Sequence, residues 1–276
     1  MRVRREGRAE DDGYRSALAQ GLRASADATR LAQEIAFSSG RLLGFSAQPP
    51  GLYGEMRSWA TQDLEHATWA CFLTAYLGPL EGPDAFAGVR AALAGTRWDG
   101  ELPDLEEVPL GPRSSHSPGR GASTLIAYRQ WVQRAGGSQA TAFSGDPAWT
   151  PQRRFERVFE RLAIAGFGRA GRYELLVTLG HLGLYELLAD SLHLAGTGAL
   201  ALEDLTTQAA KRVFGIGDPL LLERRAAALT EAIAVPVETL DLALANWGAP
   251  QRATMGFPPD THDEGALTRA LDALGL

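Results

Sequence analysis

The sequence has 276 residues, of which 45% are hydrophobic and 22% charged, with a formal net charge of -6. This length and composition predict an ordinary globular protein of one large or two small domains, and the charge argues against a protein that is basic all over. Cys71 is the single cysteine. It excludes a disulfide framework or a cysteine-ligated cluster within one chain, so a reducing, cytoplasmic setting is expected. No apolar run approaches the roughly 20 residues of a membrane span, and no secretory signal is expected.

Helical spacing of apolar residues runs through most of the chain. An apolar helix at 61–77 is typical of a core, whereas 95–122, rich in Gly, Pro and Ser, predicts a long loop that exposes His116 and Arg120. No alternation of strands and helices occurs, which predicts an all-α fold. The one exception is a small β-hairpin near 187–203, around Gly196-Thr197-Gly198. Further helices are expected at 13–38, 84–93, 124–135, 151–162, 169–182, 206–215, 219–234, 236–247 and 263–274.

The most informative stretch begins at Ile164-Ala165-Gly166-Phe167-Gly168. Two glycines around an apolar residue allow a tight turn and leave backbone N–H groups open to phosphate. A buried helix follows, and then Asp190 and Asp204, the latter just ahead of a second helix. A phosphate-holding turn followed by an acid at a helix start is an arrangement that can hold DNA and act on a base.

Arginines cluster on both sides of this turn. Residues 151–172 contain six arginines against Glu156 and Glu160, so the stretch is locally basic. It is either a DNA-facing surface or a solvated helix face with i,i+4 ion pairs. Of the 27 basic residues, Lys211 is the only lysine. Its survival reflects chance or a need for a compact ammonium with a movable proton.

These residues together resemble the helix-hairpin-helix DNA glycosylases, the superfamily of endonuclease III, adenine glycosylase and alkyladenine glycosylase. Their hairpin pattern is Leu-Pro-Gly-apolar-Gly, which 164–168 matches with Ala165 in place of the proline. Asp204 followed by Lys211-Arg212-Val213-Phe214-Gly215 keeps the register of the family's acid and helix. The resemblance implies an N-terminal helical segment at 1–55, a helix-hairpin-helix core at 56–250 and a C-terminal helix at 251–276.

Within that superfamily the arrangement most resembles the glycosylase-like α-glutamyl/putrescinyl-thymine pyrophosphorylases, whose proposed substrates are hypermodified pyrimidines of phage DNA. Family members that also cleave the backbone carry a lysine at the position of Ala170, so the resemblance implies a monofunctional enzyme. The four-cysteine iron-sulfur motif is absent. Spacing from the hairpin favours Asp190 as the catalytic acid and helix register favours Asp204, so both stay candidates, together with Lys211.

The chemistry of base excision sets the remaining expectations. One ionised carboxylate can stabilise the oxocarbenium-like state of the sugar or orient a water, and the base must first leave the stack. An aspartate at a helix start is equally a common N-cap, and buried aromatic rings are most often core. DNA contacts are expected from Gly166, Phe167, Gly168, Arg169, Ala170, Arg172 and Arg212. A base pocket is expected from Tyr76, Trp69 and Tyr185.

The sequence therefore predicts a monomeric, monofunctional DNA glycosylase that uses no cofactor. Its histidines do not fall at metal-ligand spacing, so no metal site is expected. The alternatives are a non-catalytic DNA-binding protein, an enzyme of phage hypermodified-base metabolism or defence, and a helical protein with no nucleic-acid role.

Overall fold

The computed structural model describes residues 9–195 and 203–276. Within these residues every regular element is a helix and no strand occurs, which confirms the prediction of a mainly helical protein. None of these helices combines the length and apolarity that crossing a bilayer requires. The α-helices are α1 (Ser25–Ala47), α2 (Leu52–Trp59), α3 (Leu64–Leu77), α4 (Ala87–Leu93), α5 (Ser123–Arg134), α6 (Gln139–Ser144), α7 (Pro151–Arg161), α8 (Arg169–His181), α9 (Leu205–Phe214), α10 (Pro219–Ile233), α11 (Thr239–Gly248) and α12 (Glu264–Leu274), and Pro118–Arg120 forms a 3-10 helix.

The prediction of a β-hairpin near 187–203 is wrong for its first strand, because residues 187–195 form no strand. The N–H groups of Leu192 and Leu194 donate instead to the carboxylate of Glu223, at 2.8 and 2.7 Å. The N–H of Ala195 donates to the hydroxyl of Thr207 at 3.0 Å. Side chains thus satisfy the donors that a neighbouring strand would otherwise pair. The predicted turn at 196–198 lies outside the described residues.

The chain divides into two compact units. The terminal unit comprises the described residues of Met1–Leu42, Ser191–Arg252 and Asp260–Leu276, and the central unit comprises Leu43–Asp190 and Ala253–Pro259. In the terminal unit α9 packs on α11 and α10 packs on α12. Aspartates cap three of these helices, and each carboxylate accepts an N–H of the first turn. Such caps satisfy donors that a helix cannot pair by itself.

The central unit is built around α3. Every residue of this helix from Ala67 to Leu77 is buried, and it packs against α2, α4 and α8. Rings stack along it: Phe72 lies 3.8 Å from Tyr128 and 5.5 Å from Trp69 between ring centroids. An aromatic core of this kind provides a large buried apolar area in defined geometry. It forms the base on which the segment joining α7 to α8 rests.

Candidate functional site

The glycine hairpin at 164–168 connects α7 to α8 in the central unit. The N–H of Phe167 donates to the carbonyl of Ile164 at 3.2 Å, which closes the turn. Gly166 has φ +80°, a conformation that favours glycine. Phe167 is buried, with its ring 5.2 Å from that of Phe72. The apolar residue between the two glycines therefore anchors the hairpin to the α3 core rather than facing solvent.

Helix α8 begins directly after the hairpin. Gly168 is its N-cap and provides no side-chain hydrogen bond to the first turn. Gly168 is exposed, and nothing lies within 4 Å of the place where a Cβ would stand. Because the first N–H groups of a helix have no intrahelical partner, this end carries positive potential and open donors. This end of α8, with Ala170 in its first turn, is open to solvent. The predicted DNA contacts of Gly166, Phe167, Gly168 and Ala170 stay predictions.

The two arginines of the α8 start are held against rings rather than extended into solvent. Arg169 is 7% exposed and lies 5.4 Å from the centroid of the Tyr173 ring. Arg172 lies 4.3 Å from the Phe159 centroid and donates to the Phe159 carbonyl at 2.8 Å. Burial, together with the charge of Arg169, lowers the pKa of Arg172. The predicted DNA contacts of both residues stay predictions, and in this structure the Arg169 side chain is buried and that of Arg172 half-buried.

The arginines of α7 separate into two groups. Arg154 is 6% exposed, and its guanidinium donates to the carbonyls of Ser144, Trp149 and Glu186 at 2.6, 3.2 and 2.9 Å. It is a structural residue that joins α7 to its neighbours. Arg153, Arg157 and Arg161 are exposed on the other side of the helix, with Arg157 3.1 Å from Glu160. The basic stretch therefore retains an exposed row of three guanidinium groups.

The position of His116 differs from the one expected from the sequence. It was expected on an exposed loop, but it is 8% exposed and its Nδ1 lies 2.8 Å from the hydroxyl of Tyr76. The carbonyl of Tyr76 accepts three hydrogen bonds from the loop. The N–H groups of Ser115 and His116 donate to it at 2.8 and 3.1 Å, and the hydroxyl of Ser114 donates at 3.1 Å. The open C-terminal end of α3 supplies this carbonyl. Loop 113–116 is thus fixed on the core, and burial lowers the pKa of His116.

Thr124, in the first turn of α5, lies under the hairpin. A Cβ on Gly166 would overlap the Thr124 hydroxyl and lie 3.3 Å from Cδ of Arg120. A Cβ on Gly171 would overlap the Ser115 hydroxyl. Thr124 is wholly buried, and its hydroxyl lies within hydrogen-bonding reach of the Tyr76 hydroxyl. Gly166 thus allows the hairpin to lie against α5, and Gly171 allows α8 to lie against the loop at Ser115.

Of the three aromatic residues predicted for a base pocket, Trp69 and Tyr76 lie in the α3 core. Trp69 is 1% exposed and its indole N–H donates to Thr96 at 3.3 Å. Tyr185 borders a surface groove of about 480 Å³ that Gly180, Gly183 and Leu187 also line. Its hydroxyl lies 2.8 Å from that of Thr68, and burial raises its pKa. Among these three, Tyr185 is the residue beside an open groove.

The candidate acids lie in different units. Asp190 is exposed and is the last residue of this stretch of the central unit. Asp204, in the terminal unit, caps α9: its Oδ2 accepts the N–H of Thr207 at 2.9 Å and the hydroxyl at 2.5 Å. The alternative role of Asp204 as an N-cap is therefore realised, and its catalytic role stays a prediction.

The two basic residues singled out in the helix that follows Asp204 lie near the end of α9. Lys211 is partly exposed. The guanidinium of Arg212 lies 5.5 Å from the centroid of the Trp247 ring, and burial lowers its pKa. The helix ends at Gly215, whose φ of +67° is the left-handed conformation typical of a helix end. Arg212 is thus packed within its own unit, and a DNA contact from it stays a prediction.

No group of three or more histidine, cysteine or acidic side chains that could hold a metal ion occurs in residues 9–195 and 203–276. The described geometry defines a helical protein with a glycine hairpin placed on an aromatic core.

Comparison with protein families gives the identity more closely. Residues 113–255 match the family described as α-glutamyl/putrescinyl thymine pyrophosphorylase clade 3. The match covers half of the chain, and the protein belongs to this family. No curated protein and no solved structure matches the chain. Membership of the wider helix-hairpin-helix glycosylase superfamily stays a prediction.

Proposed function

We propose that this protein is an enzyme that acts on a modified thymine in DNA, in the metabolism of hypermodified phage bases or in defence against them. The observation that carries the proposal is the extent of the family match. The matched segment begins at loop 113–116 and includes α5, the hairpin and both candidate acids. The hairpin, both candidate acids and Tyr185 therefore lie within the matched segment, whereas Trp69 and Tyr76 lie before it.

The family's name defines the chemistry that such a site has to perform. A thymine with a glutamyl or putrescinyl substituent is formed when an amine nitrogen bonds to the methylene carbon at position 5 and the bond from that carbon to a pyrophosphate oxygen breaks. The amine loses a proton to a base, and pyrophosphate leaves. The reverse direction consumes pyrophosphate and releases the amine. The enzyme needs a grip on the DNA strand and a place for a highly charged leaving group.

The hairpin and α7 offer the grip on DNA. Gly168 is open on its outer side and starts α8 without a side-chain cap, so a backbone phosphate can approach the N–H groups of the helix. The exposed row of Arg153, Arg157 and Arg161 adds charge that interacts with further phosphates. The groove beside Tyr185 provides a place for a base that has left the stack.

Monofunctional base excision is the second candidate, and Asp204 is the observation that favours it. It stands at the start of a described helix in the register of the glycosylase acid. In that reaction an ionised carboxylate stabilises the oxocarbenium-like sugar while water replaces the base. The two candidates differ in the bond that breaks: the C–N glycosidic bond in excision, and the bond at the methylene of position 5 in pyrophosphorolysis. A DNA-binding protein without catalysis would break neither.

The deciding experiment uses single- and double-stranded oligonucleotides that contain α-putrescinylthymine, with and without inorganic pyrophosphate. We expect pyrophosphate-dependent release of putrescine, detected by mass spectrometry, with the strand and its glycosidic bonds intact. Oligonucleotides that contain ordinary thymine at the same position are the control. Release of a free base that needs no pyrophosphate, and that Asp204→Asn or Asp190→Asn abolishes, would establish excision instead. Salt-sensitive binding with no product from either substrate would favour the non-catalytic alternative.

A further inference from the structure

The turn that precedes α7 carries a partly exposed tryptophan, Trp149. One side of its indole lies against the backbone of Gly145, since a Cβ added to that glycine would overlap the ring. Trp69, Trp131 and Trp247, by contrast, are buried and pack against the rings or guanidinium groups of their neighbours. In the described part of the chain no aromatic ring or cation covers Trp149. Its indole is therefore supported by the turn and accessible to a planar ligand.

The surface groove of about 480 Å³ lies beside this tryptophan. The guanidinium of Arg154 donates to the carbonyl of Trp149 at 3.2 Å and to that of Glu186 at 2.9 Å. One side chain thus joins the turn to the loop that lines the groove. A second bond joins them directly, because the N–H of Leu188 donates to the carbonyl of Pro151 at 3.4 Å. Trp149 and the groove are therefore held side by side.

The groove is almost entirely apolar. Apart from Glu186, its lining residues are proline, glycine, leucine and tyrosine, and Leu188 among them is 39% exposed. The carboxylate of Glu186 lies 3.0 Å from the guanidinium of Arg154, which offsets its negative charge. The volume falls within the range of about 300–1,000 Å³ that is typical of small-molecule pockets. Such a groove can take a nucleic-acid base, whose flat face packs on apolar and aromatic side chains.

Helix α7 leads from the groove to the glycine hairpin, and its exposed arginines follow the same direction. Pro151 begins the helix at the groove, and the hairpin at 164–168 follows its last turn. Arg153, Arg157 and Arg161 are exposed at intervals of four residues, which is about 6 Å along the helix axis. A row of cations at this spacing can neutralise consecutive phosphates of one extended strand. Charge complementarity therefore favours a nucleic acid as the ligand.

Two features favour a single strand over a duplex. The arginine row is narrow, because Glu156 and Glu160 are exposed on the neighbouring line of the helix and would repel further phosphates. In addition, Trp149 and the groove offer two adjacent places for bases. Neighbouring bases can occupy both places only when both have left the stack. In a duplex each extrusion has an unstacking and unpairing cost that a single strand largely avoids.

We propose that Trp149, the groove and the arginine row together bind single-stranded DNA. One unpaired base stacks on Trp149, a neighbouring base enters the groove, and the phosphates that follow lie along the row towards the hairpin. The inference rests on the proposed function, because it names the form of DNA that the enzyme takes, a strand already open at the modified thymine.

The test compares binding of the full chain to an oligothymidine and to a duplex of the same length, by fluorescence anisotropy at one salt concentration. The single strand should bind at least about tenfold more tightly, because it has no base pairs to open. It should also quench tryptophan fluorescence, since a base stacked on an indole quenches its emission. Equal affinities for the two forms, or tighter binding of the duplex, would overturn the proposal.

Substitutions of the tryptophan test the stacked base. Trp149→Leu should weaken binding of the single strand at least about fivefold, as expected for the loss of one stacked base, and remove most of the quenching. Trp149→Phe, which keeps a ring, should retain most of the affinity. The control is Trp59→Leu, because Trp59 is a partly exposed tryptophan of the same unit whose ring already lies 4.9 Å from that of His66. This control should keep both affinity and quenching. Parental affinity and quenching in Trp149→Leu would overturn the proposal.

The groove has a matched control in the terminal unit. Leu188 and Leu221 are 39% and 40% exposed, so each position accepts an aspartate with little loss of packing. Leu188→Asp adds a negative charge at the groove and should weaken binding of the single strand about fivefold or more. Leu221→Asp adds the same charge on α10 and should leave the affinity unchanged. Equal affinities of the two variants would overturn the assignment of the groove.

Failure of the proposed function gives a different result. In that case single strands still bind in a Trp149-dependent manner, but α-putrescinylthymine gives no product in either form of DNA. Conversely, a Trp149→Leu protein that binds and converts the single-stranded substrate as well as the parent would overturn the binding surface and leave the function standing.

Discussion

Tyr76 and His116 are joined twice: the hydroxyl of Tyr76 lies 2.8 Å from Nδ1 of His116, and the N–H of His116 donates to the carbonyl of Tyr76 at 3.1 Å. The pair connects the end of α3 to a loop that composition alone assigns to solvent. Burial raises the pKa of Tyr76 and lowers the pKa of His116. Both residues therefore stay neutral near pH 7, and a change of protonation acts directly on the support of the hairpin.

The first prediction concerns acid stability. The pKa of His116 is lowered from 6.5 by burial, so the unfolded chain takes up a proton on His116 before the folded protein does. The contribution of neutral His116 is fully present above pH 6.5 and is lost as the pH falls from 6.5 towards the folded pKa. Urea unfolding between pH 8 and 5 should show a smaller loss of stability for His116→Asn, which does not titrate, than for the parent.

His262 is the control for this measurement because its shift has the opposite sign. The carbonyl of Asp260 and the side chain of Glu264 raise its pKa above 6.5. Its contribution is present below pH 6.5 and is lost as the pH rises through the folded pKa. The His262→Asn variant should therefore lose stability in acid more steeply than the parent does. Identical pH profiles for His116→Asn and the parent would contradict the prediction.

The second prediction compares the two glycines of the hairpin. Gly166→Ala should lower the free energy of unfolding by about 1–3 kcal/mol, because φ is +80° and the new Cβ overlaps the Thr124 hydroxyl. Gly168→Ala should change stability by less than about 1 kcal/mol, since φ is -70° and the space is open, while alanine is a poorer N-cap than glycine. Urea titrations of the two variants measure both effects. A Gly166→Ala protein as stable as the parent would show that the hairpin is not fixed on α5.

The third prediction concerns Arg154. Replacement by Gln should cost about 2–4 kcal/mol, because it removes a buried guanidinium and leaves the carbonyls of Ser144, Trp149 and Glu186 without their donor. Arg153→Gln is the control, since its side chain is exposed one residue away, and it should change stability by less than about 0.5 kcal/mol. Chemical denaturation of the two single variants is sufficient. Equal stabilities would mean that the Arg154 contacts contribute nothing net.

The fourth prediction concerns the exposed arginine row of α7. A triple Gln variant of Arg153, Arg157 and Arg161 should fold normally and bind DNA more weakly. The slope of the logarithm of affinity against the logarithm of salt concentration should become less steep by about one for each phosphate that the variant no longer neutralises. Fluorescence anisotropy at several salt concentrations measures this slope. An unchanged slope would indicate that the three arginines form a solvated helix face that does not contact DNA.

The fifth prediction separates the structural and chemical roles of Asp204. Asp204→Ala should cost about 1 kcal/mol through loss of the cap on Thr207, whereas Asp204→Asn, also a good cap, should cost much less. If Asp204 acts in catalysis, Asp204→Asn should retain stability and lose most of the activity. Asp190→Asn, at an exposed position, is the matched carboxylate control. Loss of activity in Asp190→Asn alone would transfer the catalytic role to Asp190.

The sequence by itself determined where most helices begin and end, because those signals are local. Helices are expected from residues 151, 219 and 263, and the observed α7, α10 and α12 begin within one residue of these positions, after the N-caps Thr150, Asp218 and Asp263. The turn at Gly166 and the register of α9 after Asp204 could likewise be predicted, since a positive φ and an N-cap require particular residue types over a few positions. The short helices α2 and α6 were missed because their apolar patterns span too few turns.

Only the tertiary structure decided where side chains go. Helical spacing places Arg154 on the same side of α7 as Phe155 and Val158. Only the tertiary structure supplies the carbonyls of residues 144, 149 and 186 that accept from its guanidinium, so that the charge can be buried there. His116 is buried because the end of α3, about forty residues earlier in the chain, offers a hydroxyl and a carbonyl. Residues 192–195 run without a strand partner because the N–H groups of Leu192, Leu194 and Ala195 donate to the side chains of Glu223 and Thr207. Each outcome depends on partners distant in sequence, which local propensity does not encode.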